Sequence, residues 1–551
     1  MLRGGARHSQ VGPARLALVA LTLGSAGMLV WAMTRAVLAD GVTASSVALL
    51  GLFAVAVLWT GLAAATALLG VTTPPPARVG PAPGWRPHGR TAILILTCGE
   101  PTMPILRHVR TLHRSLEGVG LGAGASGIFL LSDTQGAAAQ AEARAFAALD
   151  ELAGVWWRQR ADTTGRKPGN IADWVATWGG DWDYMLVLDA DSRMSAARIA
   201  RMIHRLESRP GTALLQAGMR LVPARTRFGA LQRLAGRLGG PGFGRGLAAW
   251  AGTEGNYWGH NALIRTAAFA EAARLPELPG RAPWGGPILS HDFVEAAFLR
   301  RAGWAVEIDP DSRGSFEDGP QRLAAFHRRD RRWCQGNLQH LRLLAAPGLH
   351  PVSRLHLACG LLGYIVAPLW LALILTAALG SAAPATLVPL LGGLGLLAVP
   401  KLAGVGLWLG RVRSPRGRRL VLRAAAVELA LSSLLAPVML LRQSRAVAAV
   451  ALGRDCGWQP AGRSRMDRTG RLSLLGWGEA ATGLGLALLV SLWAGPGALL
   501  LLLPVLVPLL LAPAVLGWME RPVRAGRAAG RLALPAPPAG RAATQPDRAA
   551  A

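Results

Sequence analysis

Two carboxylates one residue apart, Asp189 and Asp191, end the apolar run Asp183–Tyr184–Met185–Leu186–Val187–Leu188, and the small hydroxyl residue Ser192 follows them. The run predicts a strand, and on a strand positions i and i+2 point the same way. Both carboxylates can therefore meet one ligand just past the strand's carboxyl end, where open α/β sheets bind their ligands. Two hard oxygen donors there suit a divalent cation that also holds phosphate oxygens. A plainer reading is a strand followed by a helix that Asp191 or Ser192 caps.

Other polar groups fall at the ends of predicted elements. Thr91–Thr97 reads as a buried strand followed by Cys98, Gly99 and Glu100, and Gly127–Ser132 as a second strand followed by Asp133. Tyr184–Leu188 is the third, and helical patterns such as the alanine-rich 137–152 lie between them. Strands alternating with helices predict a mostly parallel sheet covered on both faces. Further on, Gly259–His260–Asn261–Ala262 is expected to precede a helix, and Ser290–His291–Asp292 to introduce another. Arg328–Arg329–Asp330–Arg331–Arg332–Trp333–Cys334–Gln335–Gly336–Asn337 completes the set. Each has a dull explanation alone, as a cap or a membrane-facing basic surface; six in this order, inside one polar block, point to one cleft.

That block is flanked by apolar stretches. At 551 residues, 51% hydrophobic, with mean hydropathy +0.32, the chain is too apolar for a purely soluble protein. Residues 16–33, 42–70, 355–380, 383–407, 472–493 and 497–518 are candidate bilayer spans, for which about 20 residues suffice. Arg3, Arg7 and Arg15 precede the first, but no small-residue cleavage site stands out, so an anchor is expected rather than a signal peptide. The net charge of +28 is almost all arginine, since Lys167 and Lys401 are the only lysines. Much of it borders the apolar stretches, as at Arg411, Arg413, Arg416, Arg418 and Arg419, where positive residues mark the cytoplasmic side. This distribution argues against nucleic-acid binding. Charge also makes one crossing by 421–453 awkward, because Arg454 and the arginines after it would then lie outside. That segment is expected to cross twice, broken at Pro437, or to lie partly in the interface. Glu428 within it is expected either to line a pore or to pair with an arginine at the interface.

Several chemistries are disfavoured. Neither lysine is followed by Ser or Thr, so no Walker A loop exists, and no His-Glu-x-x-His occurs. The four cysteines are scattered without zinc-type spacing, which fits a reducing compartment. The Gly-rich stretch 238–246 does not follow a strand as a dinucleotide site requires, and reads as an acceptor-side loop.

In Gly169–Trp174, Asp189–Ser192, Tyr257–Ala262, Ser290–Phe293 and Arg328–Asn337, the chain resembles processive family-2 glycosyltransferases with a GT-A fold. More narrowly, it resembles the glucans biosynthesis glucosyltransferase H type, over about residues 91–345 and more weakly at Gly453–Arg454 and Gly457–Trp458. The resemblance implies an α/β GT-A-type glycosyltransferase domain inserted between transmembrane α-helices. It implies an inverting enzyme that uses UDP-glucose and a divalent cation, Mg2+ or Mn2+, to extend a β-linked periplasmic glucan from the cytoplasmic face of the bacterial inner membrane. Partners would be the growing glucan chain, the phospholipid bilayer and a periplasmic glucan-biosynthesis protein. By matched position, Asp191 is the metal ligand with Asp189 assisting, and Asp292 is the general base, with His291 as a competitor. Thr97, Glu100, Asp133, Lys167, Asp189 and Arg332 contact the donor. Trp333, His260 and Asn261 contact the acceptor. Arg329 stands where the broad motif has glutamine, as in the narrower type.

The expected organisation is a membrane region over 1–71, a Pro-rich linker over 72–90 and the cytoplasmic domain over 91–345. A second membrane region over 346–518, with interfacial helices and about four to six spans, and a disordered cytoplasmic tail over 519–551 complete it. Both termini would be cytoplasmic. The alternative within the class is another polysaccharide or glycosylation of a lipid carrier; outside it, a receptor on an inactive transferase fold.

Overall fold

The structure, a computed structural model, describes residues 5–76, 80–380, 384–456 and 476–523. Gly457, Trp458 and the tail from residue 524 onward lie outside the described residues. Two long helices, α1 (Gly5–Asp40) and α2 (Ala44–Thr72), come first. An α/β lobe follows, opening with β1 (Thr91–Thr97), α3 (Thr102–Glu117), β2 (Ser126–Ser132), α4 (Ala137–Phe146), β3 (Val155–Gln159) and α5 (Arg166–Trp178). It continues through β4 (Tyr184–Asp189), β5 (Ser192–Met194), α6 (Ala196–Glu207), β6 (Thr212–Ala217), β7 (Arg220–Leu221) and α7 (Arg227–Ala251). Then come β8 (Ala262–Arg265), α8 (Thr266–Ala272), α9 (His291–Arg301), β9 (Ala305–Asp309), β10 (Ser315–Glu317) and α10 (Leu323–Gln339). Helices α11 (Pro351–Leu379), α12 (Pro384–Arg411), α13 (Pro415–Ala451), α14 (Trp477–Ala494), α15 (Leu499–Leu510) and α16 (Ala512–Met519) complete the chain.

Seven strands form one sheet in the order β3-β2-β1-β4-β8-β6-β9. Strands β1, β2 and β4 are buried on both faces and therefore read as unbroken apolar runs. Ile93, Ile95, Leu186 and Leu188 pack on one side with Val109 of α3 and Ile203 of α6; Leu94, Met185 and Val187 pack on the other with Trp174 of α5. Truncating a residue such as Leu186 to alanine would cost about 2–5 kcal/mol. The sheet is mixed: β8 runs antiparallel between β4 and β6. The Gly259–Ala262 segment thus leads into a strand, not the expected helix.

The capping reading of Asp191 and Ser192 fails. Ser192–Met194 forms β5, which pairs with β10 in a small sheet ordered β5-β10-β7, and Ser195 caps α6. Residues 238–246 are also not a loop. They lie inside α7, where Gly242 and Gly246 meet Thr66 and Gly70 of α2 so closely that a Cβ on Gly70 or Gly246 would overlap the other helix's backbone.

Among the described residues six helices are long and apolar enough to cross a bilayer: α1, α2, α11, α12, α13 and α14. The last apolar stretch is bent by 49° between the α15 segment and α16. Helix α13 corrects one expectation, because it runs unbroken through Pro437 and so does not cross twice. Its start packs on Leu234 and Leu238 of α7 through Val421 and Ala424. Its end packs on Cys334 and Leu338 of α10 through Ala446 and Val450, and the Cys456 N–H donates to Gln335 Oε1 at 2.7 Å. Both ends therefore pack against helices of the same lobe. Glu428 pairs with Lys401 Nζ at 2.7 Å, not with an arginine.

Candidate active site

Parallel pairing brings the polar strand ends to one edge, with Thr97 level with Ser132 and Leu96 level with Asp189. The Thr97 hydroxyl donates to the buried Glu142 at 2.9 Å. Asp133 accepts from Arg160 Nε at 2.8 Å, Arg160 Nη2 at 2.9 Å and Asn170 Nδ2 at 2.8 Å. Glu100 accepts the Cys98 N–H, and burial pushes its carboxyl above the usual range, with Asp189 and Glu142 adding to the effect. Glu142 and Arg160 are partners outside the motifs, and Asn170, within the Gly169–Trp174 motif, gains its role here as a donor to Asp133.

The Asp189–Asp191 pair is electrostatically split. Lys167, from the first turn of α5, forms an ion pair with Asp189. Burial alone would raise Asp189, but Lys167, then His260 and Arg329, outweigh it and hold the carboxyl below the usual range. Asp191 is pushed up to about 7, first by burial and then by Asp189 and Glu317, against Arg329. Register places Glu317 of β10 opposite Ser192, which accounts for its nearness. A desolvated carboxyl among other carboxyls favours a bound cation. Among the described residues no three His, Cys, Asp or Glu side chains form a closed metal site. The donor set of two hard oxygens therefore fits a cation that takes its remaining ligands from phosphates and water.

Asp292 joins this site from the first turn of α9. A Cβ built on Gly259, whose φ is +83°, would lie 3.3 Å from Asp292 Oδ2 and 3.7 Å from Lys167 Nζ. Lys167, ion-paired with Asp189, therefore lies near Asp292 as well, and its charge acts on both carboxylates. Burial raises Asp292, and Glu295 adds to this, against His291 and Lys167. The rival base His291 is engaged elsewhere, its Nδ1 lying 3.0 Å from Glu295 Oε2. Burial works against a proton on His291, but Glu295 outweighs it and raises the imidazole's proton affinity.

His260 and Asn261 are buried, and their side chains turn into the framework. His260 Nδ1 is 3.2 Å from Ser192 Oγ, and Asn261, at φ +52°, donates to Ser315 Oγ at 2.8 Å. Gln216 fastens the same loop, donating to the His260 carbonyl at 3.0 Å and accepting the Trp258 N–H at 2.9 Å.

Helix α10 supplies the last wall. Arg329, Arg332 and Trp333, at spacings of three and four, lie on one face. Arg329 donates to Glu317 at 2.8 Å, and its guanidinium sits 4.3 Å from the Trp333 ring centroid. Burial and Arg329 lower Arg332, against Asp189. Trp333 stays 37% exposed. The helix is docked by Gln339, which accepts the Leu289 N–H at 3.0 Å, and by Gly336, where a Cβ would meet Ser290 N at 2.6 Å.

A mixed sheet with an acidic pair at a strand end, an aspartate across the pocket and an arginine-rich helix between apolar helices defines a membrane-embedded family-2 glycosyltransferase, and residues 184–383 match the model described as glycosyl transferase family group 2. Glucans biosynthesis glucosyltransferase H of Xanthomonas campestris pv. campestris (strain B100) is 37% identical over 499 residues, covering 82% of this chain and 76% of that protein. The protein of that name from Bradyrhizobium diazoefficiens is 42% identical over 467 residues, covering 78% of this chain; the chain spans 62% of its length. The chain belongs to the glucans biosynthesis glucosyltransferase H family. Its α/β lobe has the expected GT-A-type fold. Among solved structures, a mannosyltransferase from Pyrobaculum calidifontis in complex with GDP-Man and Mn2+ aligns at TM-score 0.43 and 14% identity, covering 76% of this chain and 98% of that one.

Proposed function

We propose that this chain polymerises glucose from UDP-glucose into a β-linked glucan, with inversion at the anomeric carbon, and feeds the product across the bacterial inner membrane. The observation that supports this best is that Lys167, ion-paired with Asp189, also lies near Asp292, a Cβ on Gly259 falling 3.3 Å from Asp292 Oδ2 and 3.7 Å from Lys167 Nζ.

Asp191, assisted by Asp189, would hold a Mg2+ or Mn2+ ion, which when bound supplies positive charge to the departing diphosphate. Lys167 and Arg332 add fixed positive charge there, and Arg332's planar guanidinium suits two phosphate oxygens. Glu100 faces the donor directly, while Thr97 and Asp133, engaged with Glu142 and Arg160, shape the nucleoside pocket from behind. Asp292 accepts the proton of the acceptor hydroxyl as its oxygen bonds to the anomeric carbon and the bond to the diphosphate breaks, the electron pair leaving with UDP. Its raised proton affinity brings it closer to the working pH, where a general base is most effective. Trp333 offers a flat apolar face to the acceptor sugar. His260 and Asn261 act on the acceptor through the loop they brace.

The membrane arrangement supports export. Glu520 accepts the Leu323 N–H at 2.6 Å, and the Val523 N–H donates to Arg225 O at 3.0 Å, which holds the last described residues against the lobe. With α1–α2, α11–α12 and α14 with the bent α15–α16 as three hairpins, and α13 in the interface, the lobe and both termini would be cytoplasmic.

The test is the full chain purified into lipid vesicles with radiolabelled UDP-glucose. UDP release with β-linked polymer inside the vesicles is expected. No release from UDP-glucose rejects the donor assignment. A single glucose on a lipid phosphate would instead support lipid-carrier glycosylation.

A further inference from the structure

The first turn of α9 carries Asp292, and its N-cap Ser290 makes no side-chain cap bond to its own helix. Support for that turn comes instead from the end of α10, where His340 is the capping residue. His340 is fully buried. Its Nε2 lies 3.2 Å from the Ser290 carbonyl oxygen, and its ring centroid lies 5.4 Å from that of Phe293. One imidazole thus meets the residue two before Asp292 and the residue directly after it. A carbonyl only accepts, so Nε2 donates and carries the proton. Burial pushes the imidazole down to about 4, which leaves it neutral with Nδ1 bare. Helix α11 closes in at Gly360, where a Cβ would lie 3.2 Å from His340 Nδ1 and overlap Asn337 Oδ1. Nδ1 is buried and has no hydrogen-bond partner among the described residues.

A buried acceptor without a partner costs about 1–3 kcal/mol, which an apolar side chain of similar size would avoid. What the imidazole adds over such a side chain is the N–H aimed at Ser290 O. We propose that His340 is a positioning residue for the base: its bond to Ser290 O and its ring contact with Phe293 fix the first turn of α9 and hold the Asp292 carboxylate toward the acceptor hydroxyl. This rests on the reading of Asp292 as the base. His340 itself, being fully buried, meets neither donor nor acceptor. It closes the same helix that carries Arg332 and Trp333, so the wall proposed for the diphosphate and the acceptor sugar also sets the place of the proton acceptor. A displacement of about 1 Å at a reacting group can cost about 10²-fold in rate.

The experiment measures UDP release by the full chain in lipid vesicles for wild type, His340→Leu, His340→Gln, Asp292→Asn and the double variant His340→Leu/Asp292→Asn. His340→Leu removes the N–H and keeps apolar bulk, so kcat should fall about 10–100-fold with the KM for UDP-glucose within about two-fold of wild type. His340→Gln can place an amide N–H where Nε2 stood and should recover kcat to within about five-fold of wild type. On top of Asp292→Asn, His340→Leu should cost less than about two-fold, because the group it positions is already lost. An unchanged kcat in His340→Leu, a loss carried by KM, an equal loss in His340→Gln, or a full further loss in the double variant each overturns the positioning role. In all four cases an impaired Asp292→Asn leaves the base reading standing. Near-normal turnover by Asp292→Asn overturns that reading and this proposal with it. Should His340→Leu fail to fold, Phe293→Leu decides, since Phe293 is only partly buried. It should lower kcat with KM unchanged, and an unchanged kcat overturns the role.

Discussion

The elevated Asp191 makes cation use depend on pH, and the size of the effect follows from its surroundings. With its carboxyl at about 7 rather than the ordinary 3.8, about one Asp191 in eleven is ionised at pH 6 and about nine in ten at pH 8. A divalent cation binds the ionised form, so its apparent affinity should fall about ten-fold between pH 8 and pH 6. Glu317→Gln sharpens the test. It removes one of the carboxylates that raise Asp191, and it frees Arg329, which lowers it, from its 2.8 Å bond to Glu317. Both changes move the Asp191 titration to lower pH, so the variant's cation KM should change less over the same interval. The assay is UDP release against Mn2+ concentration from pH 5.5 to 8.5, at saturating donor. A wild-type cation KM that is the same at pH 6 and pH 8, or a steeper dependence in Glu317→Gln, would refute the reasoning. The sign for stability runs the other way. A carboxyl raised by folding destabilises the cation-free protein as pH climbs from about 4 to 7. The cation-free thermal midpoint should therefore be lower at pH 8 than at pH 6, and added Mn2+ should raise it more at pH 8.

Asp292→Asn should lower transfer by about 10²–10⁴-fold while largely sparing UDP-glucose binding, read by calorimetry beside turnover; near-normal turnover rejects the base assignment. Trp333→Ala should raise the KM for an oligoglucan acceptor and leave that for donor nearly unchanged, and a change confined to donor KM would reject the acceptor-face role. Lys401→Met leaves the buried Glu428 unpaired and should lower the thermal midpoint, at a cost of about 2 kcal/mol given that Lys401 is partly exposed. The double variant Lys401→Met/Glu428→Leu should recover most of that loss, and failure to recover would point to a role beyond pairing.

The buried strands were legible because burial on both faces leaves a mark that propensity cannot blur. Thr91–Thr97 is found with its expected bounds, and Tyr184–Leu188 and Gly127–Ser132 each differ by one residue at one end. The antiparallel β8 was not legible. It has four residues, and its position is set by Asn261, whose amide reaches Ser315 more than fifty residues away in sequence. Helix α7 was misread because Gly239, Gly240, Gly242, Gly244 and Pro241 look like loop residues. Their smallness answers to α2, and a one-dimensional reading carries no trace of that neighbour. In the site, Asp189, Asp191, Lys167, Asp292 and Arg332 do gather, since motif order tracks strand ends. Arg329 was noticed only as a departure from a motif. What assigns it to the acidic pair is the β5–β10 register, a long-range pairing of three residues.

The two faces of α10 connect the pocket to the membrane. Arg329, Arg332 and Trp333 face the acidic pair. Asp330, Cys334 and Leu338 face the other way, toward α11 and α13. Asp330 is buried; burial pushes its carboxyl up, against hydrogen bonds from Tyr364 at 3.2 Å and Gln443 at 3.5 Å. Interiors packed this closely transmit displacement rather than absorb it. A shift of α13 would therefore move the residues proposed to hold the donor phosphates and the acceptor sugar. Separating transfer from movement of the polymer would then require loosening α10 from α13, for which Gln443→Ala, remote from the acidic pair, is the least disruptive change: it should shorten the product while leaving the rate of UDP release per enzyme within about two-fold of wild type. A product of unchanged length would show that α10 and α13 act independently.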